Sequence, residues 1–460
     1  MNAHLPPTPA EAPTPRTNLR TIAGAEGPAP GRPRILAVAD SDSYFKFACA
    51  TLEALGPGWE RQVVLARTPI LPTAEQLETA MAGTFLRDGP RVPVLPVRSL
   101  SPLLNGADVV LATATGPVVQ QVFHQVGTAH VGRSAHPVVR AAHRLWRRIR
   151  ATFASSSSST REPEATVPGR TTALVSALPG LAYPATEKAM HFRALGDAFI
   201  THSHAEARDF TGVLAALGSR QAVLMARLPF LASSGCPVPD TTPVRSVVFA
   251  AQARFPVERS EREQVLEALA RTRRAHPAVE IIVKLRARTG EPQTHREEFP
   301  YDRLWADLAA RGNVEAGEVR FATGPMVGVL HPGTLLVTVS STAVLEALDR
   351  GLPALVLGDF GIGPDLYNGV FAGSGLVGGL ADVEKLAGRH PDSDWLREHY
   401  FHPPGPEPAA SLLALAGRAR SGGLSTSAEA VESARRVAVR RRLRTALPAP
   451  ALWLVRALRR

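Results

Sequence analysis

The segment from Thr338 to Glu346 reads Thr-Val-Ser-Ser-Thr-Ala-Val-Leu-Glu and holds the densest set of groups able to grip an anion. A strand-like apolar run ends at Ser340, and a helical pattern runs from Thr342 to Arg350. A helix start presents unpaired N–H groups and the positive end of the helix dipole. Ser340, Ser341 and Thr342 add hydroxyls at that point, so a phosphate can sit there. Glu346 lies four residues beyond Thr342 on the same face, where its carboxylate can accept hydrogen bonds from a ribose. Ser341 equally suits a bare helix cap.

Two other apolar runs end in comparable groups. Lys284-Leu-Arg286-Ala-Arg288 puts three cations in one loop, and Gly358-Asp359-Phe-Gly361 offers glycines that let backbone approach a ligand. Earlier in the chain, Asp40-Ser41-Asp42-Ser-Tyr-Phe-Lys46 directly follows the first apolar run. Ser41 or Asp42 in that segment also reads as a helix cap. Farther on, Glu187 and Lys188 follow Pro179-Gly-Leu, adding a carboxylate and a cation. His202-Ser203-His204 is read as a cap by Ser203, because two histidines do not complete a metal site. Only four of the 52 basic residues are lysine, and three of them, Lys46, Lys188 and Lys284, lie in these segments. An ammonium meets phosphate as a compact point charge.

These residues need strands to carry them. Continuous apolar runs such as Arg34–Ala39, Gln62–Ala66, Ala107–Ala112, Thr172–Ala177 and Asp197–Thr201 suit buried parallel strands. Helical patterns fall between them, and the alternation predicts a doubly wound α/β sheet. A second such series has strands at Ser246–Ala250, Glu280–Lys284, Leu335–Val339 and Ala354–Gly358. Open sheets of this type bind ligands at the carboxyl ends of their strands. The organisation expected is a Pro-rich disordered stretch over 1–33 and a first Rossmann-like domain over 34–230, with a flexible Ser-rich loop at 154–170. A linker at 231–243, a second Rossmann-like domain over 244–405 and a helical, basic tail over 406–460 follow. Two such domains imply a cleft between them.

Composition narrows the classes. The chain has 460 residues, 45% hydrophobic and 20% charged, with a net charge of +11. Basicity favours anionic partners, but few aromatics and no recognition motif argue against nucleic acid. Two unmatched cysteines, Cys49 and Cys236, favour a reducing cytoplasm. The N-terminus has no secretory pattern, and no apolar run is long enough to span a bilayer. Residues 136–153 form a basic amphipathic helix pattern with Trp146 on its apolar face, and 435–460 carries nine arginines and no acid. Both suit an anionic membrane surface. A helix packed on the sheet, and a solvated tail, are the plainer readings. The expected location is cytoplasmic, peripheral at the inner face of the membrane.

The run of strand, Ser-Ser-Thr, helix with Glu, Gly-x-Pro, strand and Gly resembles the C-domain of GT-B glycosyltransferases. It is similar to capsule polysaccharide transferases and CMP-sugar-using transferases. The Asp-Ser-Asp-Ser-Tyr-Phe-Lys, Leu-Pro-Gly-Leu and His-Ser-His-Ala-Glu segments resemble a family of uncharacterised bacterial glycosyltransferases, over roughly residues 33–380. The capsule enzymes show Lys-x-His-Pro where this chain has Lys284-Leu-Arg286-Ala. The resemblance implies a nucleotide-sugar donor whose phosphates meet Ser340, Ser341, Thr342 and Lys284, with Arg286, Gly358 and Asp359 beside them and Glu346 at the ribose. It implies a first domain that takes a cell-envelope, capsule or lipid-linked acceptor. Inverting transfer needs a base there; Asp42 is the first candidate, then Asp40, then Glu187, with Ser41, Lys46 and Lys188 at acceptor or phosphate. No metal and no cofactor are expected. The alternatives are a nucleotide-sugar epimerase of the same architecture and a non-catalytic basic protein that binds membrane or nucleic acid.

Overall fold

The computed structural model describes residues 31–134, 166–233, 235–290, 297–403, 407–427 and 430–432. The expected disorder of the first 30 residues, the amphipathic helix 136–153, the serine run and the arginine-rich segment 435–460 lie outside them.

Two parallel sheets organise the chain. The first comprises Arg34–Ala39 (β1), Glu60–Ala66 (β2), Val94–Leu95 (β3) and Val109–Ala112 (β4), then Ala173–Ala177 (β6), Ala198–Thr201 (β7) and Ala222–Met225 (β8). Between them in the chain, Thr166–Arg170 is β5. The first sheet's order is β3-β2-β1-β4-β6-β7-β8, all neighbours parallel. The second holds Ser246–Ala250 (β9), Glu280–Lys284 (β10), Arg320–Ala322 (β11), Thr334–Thr338 (β12), Ala354–Leu357 (β13) and Val377–Gly378 (β14). Its order is β11-β10-β9-β12-β13-β14, again all parallel. Strand order therefore reverses between β1 and β4 in one sheet and between β9 and β12 in the other, the places where doubly wound sheets open a crevice. The central strands are apolar on both faces and fully buried, which explains their unbroken hydrophobic runs. The fold is two Rossmann-like lobes, as expected.

Three departures concern the domain map. The loop expected at 154–170 ends in β5, which pairs antiparallel with Leu424–Ser427 (β15). Helix Glu407–Arg420, expected as part of a basic tail, packs on β4, β6 and β8 of the first sheet. It buries Leu412, Leu415, Ala416 and Ala419 in the core. The first lobe is thus built from both ends of the described chain. The linker is no free tether either: Asp349 accepts hydrogen bonds from the N–H groups of Ala232 and Ser233 and from the Ser233 hydroxyl, at 2.6–2.9 Å. Gly351 (φ 73°) lies under it, where a Cβ would fall 2.0 Å from the Val238 carbonyl oxygen. The Gly-x-Pro glycine is needed for that close approach.

The chain crosses between lobes twice, once after β8 and once through Tyr400–His402. Glu206, on helix His204–Ala216, ties the second crossing down. Its buried carboxylate accepts from the Tyr400 hydroxyl (2.8 Å) and from the N–H groups of Ala182 and His202 (2.9 Å each). Ser203 caps that helix through the Glu206 N–H, the plain role expected for it. The His202 ring nitrogens stand 2.9 Å from the carbonyl oxygens of Ala226 and Leu178. No helix among the described residues is long and apolar enough to cross a membrane.

Candidate functional site

The site is built where strand ends of the two lobes meet. After β1, Asp40 and Ser41 lead into helix α1, Asp42–Leu55. Ser41 occupies the N-cap in extended backbone but makes no side-chain cap bond. Asp42 opens the helix. Its Oδ1 is buried without a hydrogen-bond partner among the described residues, and its Oδ2 lies 3.9 Å from the Lys46 ammonium, one turn on. A carboxylate with an idle buried oxygen can accept a proton or a hydroxyl.

The second lobe supplies the opposing groups. Lys284 ends β10, buried, its Nζ donating to the Leu285 carbonyl at 3.1 Å. Glu346 stands on helix α2, Ala343–Asp349, which follows β12. Burial pushes the Lys284 ammonium down to about 8, and repulsion from Lys46 and Arg286 adds to that while Glu346 opposes it. Burial likewise raises the Glu346 carboxyl, against the pull of Lys46, Arg350 and Lys284. Lys46 of the first lobe therefore acts on both second-lobe groups. Arg286 makes a direct bridge, its Nη2 donating to the Ser43 hydroxyl at 3.3 Å. The loop after β6 closes on the Ser-Ser-Thr turn: a Cβ on Gly180 would stand 2.6 Å from the Thr342 methyl. Asp42, Lys46, Lys284, Arg286, Thr342 and Glu346 thus converge from two lobes.

The other expected residues have different surroundings. Asp40 is fully buried and accepts hydrogen bonds from the N–H and hydroxyl of Thr115. Burial raises its carboxyl, and those bonds oppose the rise. Its oxygens bind the loop after β4, where sequence reasoning expected a second base. Ser340 donates both N–H and hydroxyl to the Gln252 side chain, at 2.9 and 3.0 Å. The Ser341 hydroxyl accepts from the Ala343 N–H at 3.2 Å, so the capping role is real, while Thr342 makes no side-chain cap bond. Gly358 packs against β14, where a Cβ would meet Val377 at 3.0 Å. Asp359 accepts from the Leu380 N–H and so caps the helix Leu380–Glu384. Glu187 and Lys188 are exposed on a five-residue helix, and among the described residues neither makes an ion pair.

Some contributors carried no sequence signal. Thr115, Gln252 and Ser43 act through contacts that only the fold creates. Arg193 is another, a buried guanidinium beside Tyr44 whose Nη1 donates to the Ala189 carbonyl at 2.9 Å.

A family model described as "Putative glycosyltransferase (DUF6716)" matches residues 35–415. No curated protein matches the chain. Among solved structures, a Staphylococcus aureus MnaA–UDP co-structure is similar at 10% identity and a TM-score of 0.47, covering 83% of this chain and 95% of that one. The lipopolysaccharide outer core galactosyltransferase WaaB, in apo form, is similar at 9% identity and 0.38, covering 85% and 100%. Acinetobacter baumannii MurG is similar at 10% identity and 0.40, covering 84% and 99%.

Proposed function

Because the chain belongs to that glycosyltransferase family, we propose that it moves a sugar from a nucleotide donor held by the second lobe to an acceptor held by the first. The observation that carries this reading is the interlobe cluster: a carboxylate with an idle oxygen, Asp42, across from two strand-end cations, Lys284 and Arg286, and a hydroxyl-bearing helix start. In this reading the donor phosphates lie at Ser341 and Thr342 against Lys284 and Arg286, and Glu346 takes the ribose. Ser340 acts through Gln252, fixing the turn. Asp42 accepts the acceptor hydroxyl's proton as that oxygen bonds to the anomeric carbon, and the bond from that carbon to the phosphate oxygen breaks. The departing phosphate's charge is met by Lys284, Arg286 and Lys46. The chain's own cations neutralise the phosphates, so no metal enters the reading.

The acceptor we infer is a cell-envelope polysaccharide or a lipid-linked sugar, presented at the inner face of the membrane. The basic amphipathic pattern of 136–153 and the arginine-rich 435–460 support it. Co-sedimentation with anionic vesicles, and not with neutral ones, is the expected outcome; equal or absent binding counts against a membrane-borne acceptor.

Thermal shift with CMP, CDP, UDP and GDP tests the core of the proposal, because a ligand that binds only the folded state raises its stability. At least one nucleotide should stabilise the wild type, and Ser341→Ala with Thr342→Ala should remove most of that gain. If no nucleotide stabilises the protein, the donor reading is wrong. Product analysis with the stabilising nucleotide's sugar conjugate then separates transfer from epimerisation.

A further inference from the structure

Three side chains outside the charged cluster gather at the carboxyl ends of β9 and β13. Arg254 and Phe255 come from the loop after β9, and Tyr367 from the loop after β13. The Phe255 and Tyr367 rings lie 5.8 Å apart and are tilted by 57°. The Arg254 guanidinium carbon stands 5.6 Å from the Phe255 ring centre and 5.9 Å from that of Tyr367. Phe255 is buried, whereas Tyr367 is 49% exposed.

A lone exposed aromatic needs no explanation, but this one is held at a cost. Tyr367 has a φ of 55°, in the left-handed region that disfavours a bulky side chain. Both loops around it are braced from below. Asn368 is fully buried; its amide donates to the Gly361 carbonyl at 3.1 Å and accepts from the Gly363 N–H at 2.9 Å. Arg262, also buried, donates to the carbonyls of Gln252, Ala253 and Pro256. The same loop carries Gln252, which holds Ser340. The ring group therefore adjoins the Ser-Ser-Thr turn. In the sheet order β10-β9-β12-β13, Lys284 lies at the β10 end and Tyr367 at the β13 end, with the turn between them.

A nucleotide sugar carries a ring at each end of its phosphate bridge. With the phosphates at the turn, one ring falls toward Lys284 and Glu346 and the other toward Tyr367. We propose that Tyr367, backed by Phe255 and Arg254, is a stacking platform for a ring of the donor, either the C–H face of its sugar or the π face of its base. The proposal rests on the donor-lobe reading above. Aromatic side chains take both kinds of face.

Calorimetric affinities of wild type, Tyr367→Phe and Tyr367→Ala test it. The ligands are whichever of CMP, CDP, UDP and GDP binds the wild type most tightly, a sugar conjugate of that nucleotide, and inorganic pyrophosphate. Tyr367→Ala should weaken a ring-bearing ligand about tenfold or more, Tyr367→Phe should match wild type, and pyrophosphate affinity should stay constant. Loss with the conjugate alone assigns the platform to the sugar and keeps the ribose at Glu346; loss with both nucleotide and conjugate assigns it to the base and moves the ribose away from Glu346. Unchanged affinity for both ligands in folded Tyr367→Ala overturns the platform and leaves the donor-lobe reading standing. A parallel fall with pyrophosphate also overturns it, since the loop would then only shape the phosphate turn. If the wild type binds none of the four nucleotides, both readings fall together.

Discussion

At Asp42 the structure leaves one buried carboxylate oxygen idle beside a lysine one helical turn away. That arrangement suits a base, and Asp42→Asn should lower kcat by about a hundredfold or more while nucleotide affinity is kept. Full turnover in that variant would remove Asp42 from the role. Lys284 makes a pH prediction. Its ammonium is depressed to about 8, chiefly by burial and then by Lys46 and Arg286. Between about pH 8 and the ordinary lysine value of 10.5 the folded chain lacks a proton that the unfolded chain holds, so this residue makes the ligand-free protein more stable as pH rises through that window. A phosphate beside Lys284 favours the charged form. Nucleotide binding near pH 9 should therefore take up about one proton in wild type and none in Lys284→Arg, measured by calorimetry in buffers of different ionisation heat. The types of these residues were legible because each follows an apolar run. Their orientations were not. Asp40 and Asp42 are two apart, yet one carboxylate is spent on Thr115 and the other faces Lys46; Thr115 lies 75 positions from Asp40, beyond any local pattern.

Element by element, the long apolar strands and the helices between them were readable, because burial on both faces leaves an unbroken hydrophobic run. The pair β5 and β15 was not. Thr-Val-Pro-Gly-Arg and Leu-Ser-Thr-Ser are short and largely polar, and their pairing joins residues more than 250 apart. Strand β14, with two residues, offered no period at all. The crossing at Tyr400 was equally silent, since its partner Glu206 is 194 positions away. Tyr400→Phe removes one donor from a fully buried carboxylate. It should cost about 1–3 kcal/mol in chemical denaturation. A loss well under that range would mean that Glu206 is satisfied by its two backbone donors alone.

For the whole molecule, the consequence of the double crossing is that the first lobe is not a contiguous piece of chain, the second being inserted between its strands and its closing helix. Removing residues after Pro403 should strip protection from β4, β6 and β8 in hydrogen exchange while β9, β10 and β12 keep theirs, because Glu407–Arg420 packs on the first sheet. Equal protection in both sheets would show that this helix is dispensable packing. The arrangement also sets an order in time. On the ribosome, β4 and β6 emerge before the whole second lobe, but the apolar residues Leu412, Leu415 and Ala416 that seal them are made only after it. The second lobe can complete its core while the first still waits with an open flank, so nascent chains should spend most of their synthesis as clients for chaperones that shield exposed apolar surface.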